Sequence, residues 1–89
     1  MVGLVGVMVA TSDVDDPQSG PYRVYFYSHE ANEPPHVHVD RDKASCKVWL
    51  VPVALSSSLG FSARDLREIE RLVSLNRAIL LKAWEEFHG

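Results

Sequence analysis

The fold is decided by residues 34–51, which read PPHVHVDRDKASCKVWLV. Polar and apolar side chains alternate on either side of a short polar turn at Arg41-Asp42-Lys43, as in two adjacent β-strands. We place these strands at about 36–41 and 44–51. The prolines at positions 34, 35 and 52 have no N–H to donate, so the hydrogen-bonded ladder is expected to stop at both ends of the pair.

Further strands are predicted on both sides of this pair. Residues 22–28, YRVYFYS, are rich in aromatic and β-branched side chains, and the apolar run at 2–10 is also typical of a strand. Residues 11–21 lie between them, and their turn formers and acids predict a loop. Residues 53–55 are expected to add only a brief edge segment before a serine-rich loop at 56–60.

The C-terminal third of the chain is predicted to be helical. Ser62 and Asp65 match a capping box, and apolar residues then recur at helical spacing to the end of the chain. Asn76 interrupts this apolar stripe. We therefore expect two packed helices with a break between residues 74 and 77, or else one long bent helix. Trp84 and Phe87 lie on the stripe and are expected in the core.

These elements predict the α+β class, with an antiparallel sheet of three to four strands and one long or two C-terminal helices packed on one face. Residues 1–21 form an N-terminal strand and acidic loop in this prediction, and residues 22–89 form a single α+β domain. The chain of 89 residues is too short for more than one domain.

Strand alternation assigns the side chains to two faces of the sheet. The face expected under the helices is apolar and carries Val24, Phe26, Val37, Val39, Cys46, Val48 and Leu50. The opposite face, here called the His/aromatic face, carries Arg23, Tyr25, Tyr27, His36, His38, Asp40, Lys47 and Trp49. Solvent-facing positions seldom collect this many rings, so the His/aromatic face is predicted to be a binding surface or an oligomer interface.

Charge and cysteine content exclude several classes of function. The net charge of −3 comes from acids at positions 13, 15 and 16, and the rest of the chain is balanced, so bulk charge does not favour nucleic-acid binding. Cys46 is the single cysteine, which rules out an intrachain disulfide and a multi-thiolate zinc site. A single cysteine fits the reducing cytoplasm, which is the location we expect. The apolar run at 2–10 is too short to span a membrane and lacks a positive leader, so we expect no membrane contact.

His36 and His38 are the candidate catalytic and metal-binding residues. They are two positions apart on one strand, so their side chains share a face with Cα atoms roughly 7 Å apart. Two imidazoles in this arrangement suit one divalent transition metal as cofactor, or an acid/base pair in which Glu30 orients one ring. A metal needs a third ligand, for which the candidates are His29, Glu30, Glu33 and Asp40. Asp40 extends the pattern to His-x-His-x-Asp, which is similar to part of the metal site of metallo-β-lactamase-type hydrolases.

The aromatic residues of the same face are the candidate binding residues. Tyr25, Tyr27 and Trp49 have rings on which bases can stack, and Lys47 can meet a phosphate. The alternative is that these rings pack against a second copy of the chain or against a partner protein.

Several segments in order resemble a small bacterial family known as domain of unknown function 4160. The segments that carry the resemblance are YFYS at 25–28, EPPHVHV at 33–39, KVWLVPV at 47–53, GFS at 60–62, LREI at 66–69 and LLKAWEEFHG at 80–89. The resemblance implies a compact α+β domain and a role in a toxin–antitoxin-like pair. It assigns no catalytic role to any residue.

The sequence is therefore compatible with three candidate functions. The first is a small cytoplasmic protein of a toxin–antitoxin-like module that engages RNA, a nucleotide or a partner protein through the His/aromatic face. The second is a metal-dependent hydrolase that uses His36 and His38. The third is a non-enzymatic interaction module with the aromatic face as its dimer interface.

Overall fold

The computed structural model describes residues 4–7, 22–28, 30 and 32–88. The predicted acidic loop at 11–21, both ends of the predicted N-terminal strand, and His29 lie outside the described residues. Within the described part, five strands are followed by two helices, which confirms the α+β class.

The sheet is antiparallel throughout, and its strand order follows the chain from β1 to β5. Its strands are β1 (Leu4–Val7), β2 (Arg23–Tyr27), β3 (His36–Arg41), β4 (Ala44–Leu50) and β5 (Val53–Leu59). The prediction of three to four strands is therefore too low. The N-terminal strand pairs with β2 as a full member of the sheet, and β5 is much longer than the brief segment expected.

The serine run at 56–58 is part of β5, so the loop predicted there is wrong. Propensity favours a loop for Ser-Ser-Ser, but the open edge of β4 offers hydrogen-bond partners that propensity does not consider. Ser58 pairs with Cys46 and Ser57 pairs with Lys47. The register then shifts between Lys47 and Val48, so that Val48 faces Leu55 and the strand continues past the irregularity.

A capping box and a buried asparagine set the bounds of the two helices. Helix α1 (Ala63–Leu75) starts at a complete capping box, because the Ser62 hydroxyl accepts from the Asp65 N–H and the Asp65 carboxylate accepts from the Ser62 N–H. Helix α2 (Arg77–His88) starts directly after Asn76. The predicted break between residues 74 and 77 is confirmed.

Asn76 is buried at the junction, and its side-chain amide donates to the Leu72 carbonyl at 2.8 Å. Arg77 then ties the junction to the sheet, because its Nε donates to the Leu50 carbonyl at 2.7 Å. Asn76, the polar residue on the apolar stripe, therefore lies where one helix ends and the next begins, and its side chain bonds a carbonyl at the end of α1.

The core lies between the apolar face of the sheet and the two helices. All seven residues assigned to that face are buried, together with Ile69, Leu72, Val73, Leu80 and Trp84 from the helices. The prediction of a core position for Phe87 is wrong, because its side chain is 57% exposed near the end of α2. In the described part of the chain, neither helix has the length and apolar character needed to cross a membrane.

Candidate metal centre

Glu30 belongs to the segment between β2 and β3, and this segment folds back so that its side chain lies against the first residue of β3. The Glu30 N–H donates to the Tyr27 carbonyl at 3.4 Å, and the Glu33 N–H donates to the Glu30 carbonyl at 3.2 Å. These two bonds fold the segment back onto the sheet. Pro34 and Pro35 then lead directly into the first histidine of the strand.

Three donor atoms meet at this point. The Nε2 atom of His36 lies 2.8 Å from Oε1 of Glu30, and the Nε2 atom of His38 lies 3.4 Å from the same oxygen. One ligand atom from each of the three residues lies within 4.8 Å of the others. Two imidazoles and one carboxylate at this spacing form a donor set that suits a transition-metal ion.

The His36 ring is fixed so that one nitrogen points into the cluster. Its Nδ1 atom lies 3.0 Å from the Pro34 carbonyl oxygen, which can only accept, so Nδ1 carries the proton and donates it. The other ring nitrogen, Nε2, then faces Glu30 and His38 and is the nitrogen that would bind a metal. A backbone carbonyl that holds the remote ring nitrogen in this way is typical of histidines that bind metals.

His36 is fully buried, which differs from its predicted place on an accessible face. Its ring contacts Trp49 at 5.6 Å on the sheet and Trp84 of α2 at 4.9 Å between ring centroids. The register of β2 on β3 runs from Arg23↔Asp40 to Tyr25↔His38 and leaves His36 outside it. The helix layer therefore reaches His36 at this end of the sheet, and strand alternation alone does not show this contact.

The electrostatics favour the metal-binding forms of the other two residues. Burial lowers the pKa of His38, and the neighbouring His36 and Lys47 charges lower it further, against the opposing effect of Glu30. Burial alone would raise the pKa of Glu30, but hydrogen bonds from His36 and His38 outweigh it and the pKa is lowered. A neutral imidazole and an ionised carboxylate are the forms that coordinate metal.

Access to the cluster is through Glu30 and His38. Their side chains are 18% and 17% exposed, while His36 forms the buried floor. Two tyrosines of β2 hold His38 in place. The Tyr25 ring stacks on it at 5.3 Å and 18° between planes, and the Tyr27 ring meets it edge-on at 5.1 Å.

The four predicted binding residues lie together but already have partners within the chain. Tyr25 is only 9% exposed and its hydroxyl donates to Asp40 at 3.0 Å. Lys47 pairs with Glu33, and its ammonium group lies 4.5 Å above the centre of the Trp49 ring. Tyr27 and Trp49 are half-buried. The His/aromatic face is therefore a set of packed rings and not an open stacking platform.

Of the candidate third ligands, the structure brings Glu30 to the histidines. Glu33 lies on the other side of the His36 ring, with its Oε1 atom 4.0 Å from Nδ1. Asp40 belongs to a separate cluster, where it accepts from Ser45 at 2.8 Å and pairs with Arg23 at 3.6 Å. Asp40, the last residue of His-x-His-x-Asp, is therefore not brought to the donor atoms of the two histidines.

Sequence reasoning missed two contributors to the site. The Pro34 carbonyl orients His36, and the double proline before the strand is the signal from which this contact follows. Trp84 closes the floor of the site from the helix layer. Its place on the apolar helical stripe indicates burial but carries no information about the histidine that it contacts.

Comparison with known proteins identifies the family. Residues 22–85 match the family described as Domain of unknown function (DUF4160). The chain belongs to the DUF4160 family. No curated protein and no solved structure matches the chain. The part that matches DUF4160 contains Glu30, His36 and His38, so the whole donor cluster lies within the family domain.

Proposed function

We propose that this DUF4160 protein is a metal-dependent hydrolase in which Glu30, His36 and His38 hold one divalent transition-metal ion. The observation that carries the proposal is the convergence of three donor atoms within 4.8 Å, with Nδ1 of His36 held by the Pro34 carbonyl.

The donor set favours a catalytic site over a structural one. Structural zinc sites are closed by four protein ligands, whereas three ligands leave a coordination position for water or substrate. Glu30 and His38 are partly exposed, so water or substrate could reach an ion held here. A metal ion bound here would supply Lewis-acid activation of water and of the bond to be cleaved.

The packing of the aromatic side chains gives little support to the binding of RNA bases or nucleotides on this face. One ring face of Tyr25 is covered by His38, and the Lys47 ammonium group covers Trp49. Bases would have to displace these contacts in order to stack. The toxin–antitoxin-like module, the dimer and the cytoplasmic location stay predictions.

Calorimetric titration with zinc tests the proposal. Wild-type protein is expected to bind one equivalent, and Glu30→Gln and His38→Gln are each expected to weaken binding by more than about 100-fold, since loss of a mere outer partner already costs 10–100-fold. Glu86→Gln removes the same charge from an exposed position of α2 and is the matched control. The absence of stoichiometric binding, or equal binding by wild type and Glu30→Gln, would overturn the metal site.

Activity is measured with activated acyl and phosphoryl esters. The zinc-loaded wild type and Glu86→Gln are expected to hydrolyse at least one of them, and the metal-free protein and Glu30→Gln are expected to hydrolyse none. Tight zinc binding without any metal-dependent hydrolysis would retain the site and reject the hydrolase.

A further inference from the structure

Lys47 has a position that the metal cluster alone does not explain. It lies directly opposite His38 in the β3–β4 register, and side chains at such cross-strand positions have Cβ atoms about 5 Å apart on one face. Lys47 therefore supplies a cation on the same face of the sheet as the proposed ligand His38.

The Lys47 ammonium group retains capacity for a ligand. It has three N–H donors, one of which is hydrogen-bonded to Glu33. Its contact with the Trp49 ring is a cation–π interaction, which uses no hydrogen-bond acceptor atom. The side chain is 20% exposed, so the group is held in place by its two neighbours yet open to solvent. A positioned, partly hydrated ammonium group is well suited to bind an anionic oxygen.

Metal binding would reverse the charge of this face. Among the described residues around His36 and His38, Glu30 and Glu33 supply two negative charges and Lys47 supplies one positive charge. A divalent ion changes this excess of one negative charge to an excess of one positive charge. A bound ion is often the largest local charge and so decides which ligand the site prefers.

We propose that the substrate is a phosphate ester, whose phosphoryl oxygens are bound by the metal and by Lys47; this inference rests on the proposed hydrolase. A carboxylic ester is neutral at its reacting carbon, whereas a phosphate ester carries its negative charge on the group that reacts. Metal ions and lysines directed at such a group stabilise the charge of the transition state. In the reaction, water adds to phosphorus, the bond from phosphorus to the ester oxygen breaks, and the leaving oxygen takes up the proton that water releases.

Inorganic phosphate is the probe, titrated into protein loaded with one equivalent of zinc and dialysed free of excess metal. The loaded wild type is expected to bind phosphate at least about 10-fold more tightly than the metal-free protein. Lys47→Met is expected to lose about 10-fold or more of that affinity, the range for a lost charge-assisted hydrogen bond. Lys47→Arg is expected to recover part of it.

The matched control is Lys43→Met, which removes the same charge at the exposed β3–β4 turn. It is expected to retain wild-type affinity for phosphate and wild-type affinity for zinc. Equal phosphate binding by Lys47→Met and Lys43→Met would overturn the role of Lys47. Acetate that binds the loaded protein as tightly as phosphate would overturn the substrate class.

The two proposals fail differently. Zinc binding with the expected loss in Glu30→Gln, but without phosphate binding that depends on Lys47, rejects only the phosphate-ester inference. Absence of zinc binding rejects the metal site, and the phosphate-ester inference with it. Zinc-dependent hydrolysis of a p-nitrophenyl phosphate ester but not of p-nitrophenyl acetate supports both.

Discussion

Gly60 connects the last strand to the first helix, and its replacement by alanine tests how the two layers are joined. Its φ angle is +88°, a region that L-residues rarely adopt. A Cβ atom built on it would meet both Cα and Cβ of Ala44 at 3.2 Å. Both features act against any side chain at this position.

The expected cost of Gly60→Ala follows from these two features. A left-handed conformation costs an L-residue roughly 1–2 kcal/mol. The close contact with the Ala44 backbone adds to this, so we expect a loss of about 2 kcal/mol in the free energy of unfolding. For a domain of 60–100 residues, such a loss lowers Tm by roughly 8–16 °C.

Urea denaturation followed by far-UV circular dichroism measures the change. Gly6→Ala is the matched control, since Gly6 lies on an exposed strand with no atom within 4 Å of the added Cβ. That control is expected to be neutral or to stabilise by up to about 1 kcal/mol, because alanine suits a strand better than glycine. Ala44→Gly combined with Gly60→Ala should cost less than the sum of the single changes. A Gly60→Ala protein within about 0.5 kcal/mol of wild type would refute the reasoning.

Three further predictions concern titration and packing. Burial, together with a hydrogen bond to Glu68, raises the pKa of Tyr22 to about 12. The stability from its neutral hydroxyl is therefore full below pH 10 and is lost as pH rises towards 12. Between pH 8 and pH 11, the urea midpoint should fall more in wild type than in Tyr22→Phe. Burial raises the pKa of the Cys46 thiol to about 11, so a thiol reagent at pH 8 should label it only in denaturant, and rapid labelling of the native protein would contradict its burial. Trp84→Ala should cost about 3–5 kcal/mol in urea denaturation, whereas Phe87→Ala should cost about 1 kcal/mol or less, and equal costs would contradict their different exposure.

The candidate site was predictable in part. Both histidines could be named from their spacing, and Glu30 was one of four candidates for a third ligand. The choice among the four depends on how a loop folds back, which is decided by the hydrogen bonds of Glu30 to Tyr27 and Glu33. Asp40 fits the strand pattern equally well, but its neighbours Tyr25 and Ser45 take its oxygens.

Local sequence by itself determined the class of the fold, the burial of the apolar sheet face, the capping box at Ser62 and the helix break at Asn76. Each of these follows from periodicity or from bonds between residues close in the chain. Tertiary structure alone decided the length of β5, the exposure of Phe87 and the burial of His36 against Trp84. Those outcomes depend on which distant element occupies an open strand edge or covers a ring, and no local pattern encodes a partner that lies 48 residues away, as Trp84 does from His36.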